Sequence, residues 1–85
     1  MYSIEITPPA EKQIRKLPKQ VQKQVVVRAM QLTENPRPPG AKKLQGVKAL
    51  YRIRQGDWRI LYTIDDHKLK ILVVKVGHRR NVYQR

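Results

Sequence analysis

The sequence predicts an α+β fold, a single compact domain over residues 1–85 in which an N-terminal strand and a helical hairpin pack on an antiparallel β-sheet. Apolar residues recur at helical spacing in the first half of the chain and alternate with polar ones from Leu44 onward. A proline-rich loop at 35–40 separates the two halves. The length of 85 residues is enough for one hydrophobic core and is below the size at which chains divide into two domains.

The first half is predicted to hold a strand followed by two helices. Alternation over residues 2–6 predicts the strand. Thr7 precedes two prolines and is a predicted N-cap, and the helix that follows runs to about Leu17. Pro18 ends that helix and starts a second one, which ends near Asn35. The predicted apolar face of the second helix is Val21, Val25, Ala29 and Leu32, supported by Val26 and Met30. The predicted outward residues of the first helix are Lys12, Gln13, Arg15 and Lys16.

The second half is predicted to be a meander of three strands. Stretches with a period of two place these strands at about 50–54, 58–64 and 69–76. Turn-forming residues at 56–57 and at 65–67 interrupt them. The three strands form the sheet on which the helices are expected to pack.

The register of the first hairpin follows from matching apolar residues across its two strands. A two-residue turn sets Ile53 opposite Ile60, whereas a turn one residue longer sets Ile53 opposite Arg59. The favoured register also puts Arg54 directly opposite Arg59, with Arg52 further along the same face. Like charges in cross-strand positions destabilise a sheet, so this arrangement favours a bound anion such as a phosphodiester. A solvated face, with the arginine stems lying over apolar residues, is the alternative.

The composition indicates a polyanionic partner. The 19 Lys and Arg residues against 6 Asp and Glu give a formal net charge of +13, a surplus that nucleic acid would neutralise. A membrane surface or a larger assembly would also fit the charge alone. The absence of cysteine excludes disulfides and thiolate metal sites. Metal-ligand spacing, a phosphate-binding glycine loop and paired catalytic carboxylates are also missing, so we expect no metal and no cofactor.

Residues 76–85 hold the densest polar chemistry of the chain. Gly77 permits a turn that carries His78, Arg79 and Tyr83 toward the edge of the sheet. Without a metal site, the available chemistry is that of arginine, histidine, lysine and tyrosine. This set suits RNA better than DNA, because the RNA 2′-hydroxyl is an internal nucleophile that the protein needs only to orient while it neutralises the phosphate.

Four segments occur together in the order and spacing of a known family. They are Lys-Leu-Gln-Gly at 43–46, Tyr-Arg-Ile at 51–53, Asp-Trp-Arg-Ile-Leu-Tyr at 57–62 and Val-Gly-His-Arg at 76–79. Across essentially its whole length the sequence resembles the RelE/ParE superfamily of type II toxin–antitoxin toxins, in particular the RelE-type mRNA interferases. The resemblance implies two N-terminal helices on an antiparallel sheet. It also implies a metal-independent, ribosome-dependent endonuclease that cuts messenger RNA and leaves a 2′,3′-cyclic phosphate and a 5′-hydroxyl.

The resemblance further implies roles for three residues. Arg59 matches the sheet arginine that holds the phosphate. Arg79 matches the arginine that neutralises or protonates the leaving oxygen. Tyr83 matches a terminal tyrosine that stacks on or orients a base of the substrate.

The general base is the point at which this sequence departs from the family. Arg52 and Arg54 lie where several members carry lysines, and arginine is a poor base because it stays protonated. The imidazole of His78 is therefore a candidate base, and Lys48 is a weaker one. The predicted catalytic residues are Arg52, Arg54, Arg59, His78, Arg79 and Tyr83, and the predicted RNA- or ribosome-binding residues are Lys42, Lys43, Lys48, Arg80 and Arg85.

The partners that the resemblance implies are the 70S ribosome with its mRNA and a cognate antitoxin. The antitoxin is expected at the exposed sheet edge or the helical groove, because no C-terminal helix follows Tyr83, and operator DNA is expected only indirectly through it. No apolar stretch is long enough for a bilayer and the N-terminus is unlike a signal peptide, which predicts a cytoplasmic protein with no membrane partner. One alternative is a ParE-like toxin that poisons DNA gyrase and has no nuclease activity. The other is a RelE-type toxin that has lost its activity together with the two lysines.

Overall fold

The computed structural model describes residues 1–44 and 50–80. The elements found in these residues are β1 (Ser3–Ile6), α1 (Pro8–Arg15), α2 (Lys19–Gln31), β2 (Lys42–Lys43), β3 (Leu50–Gln55), β4 (Trp58–Asp65) and β5 (Lys70–His78). These strands form one mixed sheet in the order β1-β5-β4-β3-β2, and the helices pack against one of its faces. The predicted α+β fold is confirmed, with the added detail that β1 joins the sheet parallel to β5 while the other pairs are antiparallel.

Helix α1 begins at the predicted N-cap. The hydroxyl of Thr7 accepts a hydrogen bond from the Ala10 N–H at 3.3 Å, which satisfies one of the free amides of the first turn. The helix ends at Arg15, slightly before the expected Leu17. The Gln22 side chain of α2 donates to the Arg15 carbonyl at 3.2 Å and to the Leu17 carbonyl, in the connection, at 2.8 Å. These two hydrogen bonds hold the short connection between the helices.

Helix α2 follows Pro18 and ends earlier than expected. It stops at Gln31 rather than near Asn35, and the chain then enters a series of turns. Just after the helix, the Thr33 hydroxyl donates to the Met30 carbonyl at 2.7 Å. A threonine hydroxyl bound to a carbonyl in this way competes with the backbone hydrogen bonds of a helix. No helix in the described part of the chain is long and apolar enough to cross a membrane.

The core lies between the helices and one face of the sheet. Gln13, expected to face outward, instead packs toward β5, where its side-chain carbonyl accepts a hydrogen bond from the Val76 N–H at 2.7 Å. Isoleucine, valine and leucine from both halves of the chain fill the core. The apolar residues of the helices and the alternating apolar residues of the strands therefore pack in one cluster. The buried core residues are Ala10, Ile14, Leu17, Val25, Ala29, Leu32, Ile53, Ile60, Tyr62, Ile64, Ile71, Val73 and Val76.

The proline-rich loop is tied to the β4–β5 turn. Arg37 donates to Asp66 at 2.9 Å, and the Tyr2 hydroxyl donates to the same carboxylate at 2.6 Å. These hydrogen bonds, first from Arg37 and then from Tyr2, lower the pKa of Asp66. The Tyr62 hydroxyl donates to the Pro36 carbonyl at 2.7 Å, and burial raises the pKa of Tyr62 to about 12. The loop is therefore a fixed connector between α2 and the sheet.

The β3–β4 hairpin has the predicted register. Ile53 pairs with Ile60 and Arg54 pairs with Arg59. Gly56 begins the two-residue turn with φ +59°, a left-handed conformation that glycine adopts without steric cost.

A β-bulge interrupts the β4–β5 pairing between Leu61 and Tyr62. Tyr62 pairs with Val73 and Leu61 pairs with Lys75, so β5 carries one extra residue at this point. Val73 and Val76 are both buried although they lie three residues apart. The bulge thereby keeps both valines in the core and turns the lysine between them to the opposite face of the sheet.

Candidate nucleic-acid interface

The sheet face that the helices do not cover carries basic side chains from four neighbouring strands. One row across the strands is Arg54, Arg59 and Gly77, and the next contains Lys42, Arg52, Leu61 and Lys75. Adjacent strands lie about 4.7–4.9 Å apart, so each row places its long side chains within reach of one another. We call this set the basic face, defined by Lys42, Arg52, Arg54, Arg59 and Lys75.

Arg59 lies at the centre of the first row and is buried rather than exposed. Only 8% of the residue is accessible, and its Nη1 donates to the carbonyls of Gly56 and Trp58, both at 3.0 Å. On one side it faces Arg54 and on the other Gly77, which has no side chain. These bonds hold the guanidinium against the hairpin turn, so its charge is fixed in place before any ligand arrives.

Arg79 reaches the same turn from the end of β5. Its backbone N–H donates to the Asp57 carbonyl at 2.8 Å, and its Nε lies 3.8 Å from a carboxylate oxygen of Asp57. The side chain remains 54% exposed, and an exposed ion pair of this length contributes little to stability. The backbone contact therefore positions Arg79 beside the turn that holds Arg59, and its side chain is accessible to an anion.

His78 does not lie with the arginines. It pairs with Trp58, which packs against the core, and the two rings meet edge to face with centroids 5.4 Å apart. Its Nδ1 accepts a hydrogen bond from the Arg80 N–H at 3.2 Å. A neutral imidazole has one acceptor nitrogen, so this bond must break before His78 can take a proton. The assignment of His78 as general base stays a prediction, and this placement does not support it.

The remaining predicted residues divide between several places. Lys42 pairs with Arg52 and joins the basic face, whereas Lys43 pairs with Tyr51 and points to the other side of the sheet. Arg80 is exposed just beyond β5. Lys48, Tyr83 and Arg85 lie outside the described residues.

Lys75 is the residue of this face that the sequence reading missed. Strict alternation from Ile71 and Val73 would direct Lys75 into the core, where a charged amine is unfavourable. A lysine at a position that alternation assigns to the core was the signal for a bulge in β5. The observed register contains this bulge and places Lys75 on the basic face.

Two other carboxylates, those of Asp65 and Glu11, are engaged away from the β3–β4 turn. Asp65 accepts hydrogen bonds from the amides of Lys68 and His67, both at 3.0 Å, and these bonds, first that from Lys68, lower its pKa. Glu11 pairs with Arg15 one helical turn away. Within residues 1–44 and 50–80, no three His, Asp or Glu side chains are grouped so as to hold a metal ion.

Comparison with known proteins places the chain in a family. Residues 4–83 match the family described as the ParE toxin of the type II toxin–antitoxin system parDE. The chain is 29% identical to toxin RelG of Mycobacterium tuberculosis, over 99% of this chain and 98% of the relative. It is 32% identical to the mRNA interferase toxin RelE of Escherichia coli K12, over 92% and 83% of the two chains.

A solved structure shows the same fold. It is a chain of the RelBE2 toxin–antitoxin complex from Mycobacterium tuberculosis, which superposes with a TM-score of 0.82 at 30% identity and covers 92% of this chain and 98% of that one. Fold, sequence and the motifs of the hairpin agree. This chain belongs to the RelE/ParE superfamily of toxins of type II toxin–antitoxin systems.

Proposed function

We propose that this toxin inhibits translation as a metal-independent endoribonuclease that cuts messenger RNA on the ribosome. The observation that carries the proposal is the meeting of Arg59 and Arg79 at one hairpin turn, at the end of a face that also holds Arg52 and Arg54. An RNA phosphate is the ligand that such a set of guanidinium groups fits best, because arginine binds phosphate through several donors at once. The name of the Escherichia coli relative, mRNA interferase, supports the same activity.

The proposed reaction uses the RNA as its own nucleophile. The 2′-oxygen forms a bond to the adjacent phosphorus, the bond from phosphorus to the 5′-oxygen breaks, and the products are a 2′,3′-cyclic phosphate and a 5′-hydroxyl. A general base takes the proton of the 2′-hydroxyl, and the departing 5′-oxygen gains a proton. Arg59, held by two backbone carbonyls, neutralises the phosphate oxygens. Arg79, more exposed and at the end of β5, faces the departing oxygen, and Tyr83 orients a base of the substrate.

The proposed partners are the 70S ribosome with its mRNA and a cognate antitoxin. The solved relative forms a toxin–antitoxin complex, which supports the antitoxin. Val26, Val27 and Met30 leave an exposed apolar stripe on α2 beside Lys23, which suits an amphipathic helix with acidic flanks. Operator DNA would be contacted through the antitoxin, and the site of action is the cytoplasm, where the ribosomes are.

A second candidate function is poisoning of DNA gyrase without nuclease activity. The description of the matched family, the ParE toxin, is the observation in its favour. A gyrase poison does not need an arginine held against a turn with a second arginine beside it.

Brief induction of the toxin in cells without antitoxin separates the two functions. We expect protein synthesis to stop within minutes, mRNA to be cut within the frames being translated, and DNA supercoiling to stay unchanged. An Arg79→Ala variant, induced to the same level, is the control and should leave mRNA intact. Gyrase–DNA cleavage complexes with intact mRNA would overturn the nuclease proposal in favour of the second candidate.

A further inference from the structure

Arg79 contacts Asp57 through both its backbone and its side chain. The Asp57 carbonyl accepts the Arg79 N–H at 2.8 Å, and a carboxylate oxygen of Asp57 lies 3.8 Å from the Arg79 Nε. The first contact holds the backbone of Arg79 beside the β3–β4 turn. The second brings a negative charge to one edge of the guanidinium group.

Asp57 brings a carboxylate to the turn at which Arg59 and Arg79 meet. The carbonyl of the preceding residue, Gly56, accepts a hydrogen bond from the Arg59 Nη1 at 3.0 Å. The dipeptide of the turn therefore contacts both arginines of the proposed site. The chain has six Asp and Glu residues, all of them among the described residues, and the other five lie in other elements, at Glu5, Glu11, Glu34, Asp65 and Asp66.

The length and exposure of this ion pair indicate that it orients Arg79 rather than stabilises the fold. A distance of 3.8 Å is too long for a hydrogen bond, so the attraction depends on charge. The Arg79 side chain is 54% exposed and that of Asp57 is 69% exposed, and such a pair adds little to stability. With its Nε edge toward Asp57, the guanidinium keeps its two Nη groups available. They carry most of the N–H donors of arginine and can bind two phosphate oxygens at once.

The same contact argues against Asp57 as the general base. In the proposed reaction the attacking 2′-oxygen and the departing 5′-oxygen lie on opposite sides of the phosphorus, roughly in line. Arg79 acts on the departing oxygen, and the carboxylate of Asp57 lies beside Arg79. The carboxylate is therefore on the wrong side of the phosphate to take the proton of the 2′-hydroxyl, and its effect on the reaction passes through Arg79.

We propose that Asp57 is a positioning residue whose carboxylate orients the Arg79 guanidinium so that its Nη groups face the departing 5′-oxygen. The inference rests on the proposed function, because Arg79 takes its role from the proposed reaction. Loss of the charge of Asp57 lets the guanidinium adopt other orientations and slows the reaction. It does not weaken RNA binding, because a negative charge beside a polyanion has been removed. A residue needed only for the fold, or a carboxylate that only repels RNA, does not combine these two effects.

The first experiment compares the wild type with Asp57→Asn, Asp57→Glu and the matched control Glu34→Gln. Asparagine has nearly the shape of aspartate without its charge, glutamate keeps the charge, and Glu34→Gln changes the net charge equally in the turns after α2. Single-turnover cleavage on ribosomes programmed with mRNA gives the maximal rate and KM, and melting temperatures check the fold. The maximal rate of Asp57→Asn should fall roughly ten- to a hundredfold, with KM unchanged or lower. Asp57→Glu should recover most of the rate, and Glu34→Gln should behave as wild type.

A second experiment observes Arg79 in the toxin without RNA. NMR relaxation of its nitrogen nuclei reports the motion of the Nε–H group and of the backbone N–H separately. Asp57→Asn should free the Nε–H group and leave the backbone N–H, still bonded to the carbonyl of residue 57, as ordered as in the wild type. If the Nε–H group moves equally in both proteins, or if an active wild type and Asp57→Asn share one maximal rate, the inference is wrong. A wild type that does not cut mRNA would sink the nuclease function instead, and the relaxation measurement alone would then decide whether Asp57 positions Arg79.

Discussion

The two faces of the sheet differ in what determines them, and strand β4 shows the difference within two neighbouring residues. Ile60 is fully buried among helix side chains, and burial of this kind supplies most of the stability of a small domain. Arg59, next to it in sequence, points to the other side and is held by backbone carbonyls beside other cations. One face therefore carries the folding free energy and the other carries the charge. Because the division follows alternation, adjacent substitutions should separate stability from activity.

The largest expected effect is that of Arg59→Gln on cleavage. Loss of a preorganised cation at a developing oxyanion costs about 3–4 kcal/mol, which is roughly a hundred- to a thousandfold in rate. Glutamine keeps donors for the carbonyls of Gly56 and Trp58, so the melting temperature should change little despite the burial of this position. Single-turnover cleavage and thermal unfolding of the same preparation measure the two quantities. A fully active Arg59→Gln protein would remove the residue from the site.

A smaller and opposite effect is expected from Ile60→Val. Removal of one buried methylene should lower the free energy of unfolding by about 0.5–1.5 kcal/mol. Cleavage per folded molecule should stay unchanged, because Ile60 faces the helices. Urea unfolding gives the first quantity and cleavage well below the unfolding midpoint gives the second. A loss of activity without a loss of stability would show that the two faces are not independent.

The smallest expected effect concerns acid stability at the tie between the loop and the β4–β5 turn. The pKa of Asp66 is lowered in the folded protein by Arg37 and then by Tyr2. Its contribution to stability is therefore present above the ordinary carboxyl pKa of about 4 and is lost as the pH falls through the lowered value. Urea unfolding between about pH 6 and pH 2 should show a weaker pH dependence in Asp66→Asn. An unchanged pH dependence would mean that the tie adds no stability.

The sequence predicted the helix-covered face well because apolar residues constrain it. Matching Ile53 with Ile60 was enough to find the register of the hairpin, and with it the opposition of Arg54 and Arg59. The places of two strands in the sheet escaped prediction. Strand β2 has only Lys42 and Lys43, too short to show a period. The parallel pairing of β1 is a long-range contact that no local pattern encodes.

The basic face was only partly predictable, because a charged residue near the end of a strand can lie on either face of the sheet. The resemblance to a known family identified Arg59 and Arg79, and the structure brings both residues to one turn. Their roles stay a prediction. It gave no warning that His78 would lie against Trp58. The side on which each residue of β5 lies depends on one extra residue at the bulge, and counting by twos from Ile71 assigns both Lys75 and His78 to the wrong side.

The pairing of β1 with β5 also decides when this protein can fold during its own synthesis. Ile4 lies opposite Ile71, so the first strand and the helix after it wait for almost the whole chain before their partner exists. Chains emerge from the N-terminus onward, and contacts across so long a separation form slowly. A chain that stops before residue 70 therefore has no partner strand for β1 and cannot complete this core.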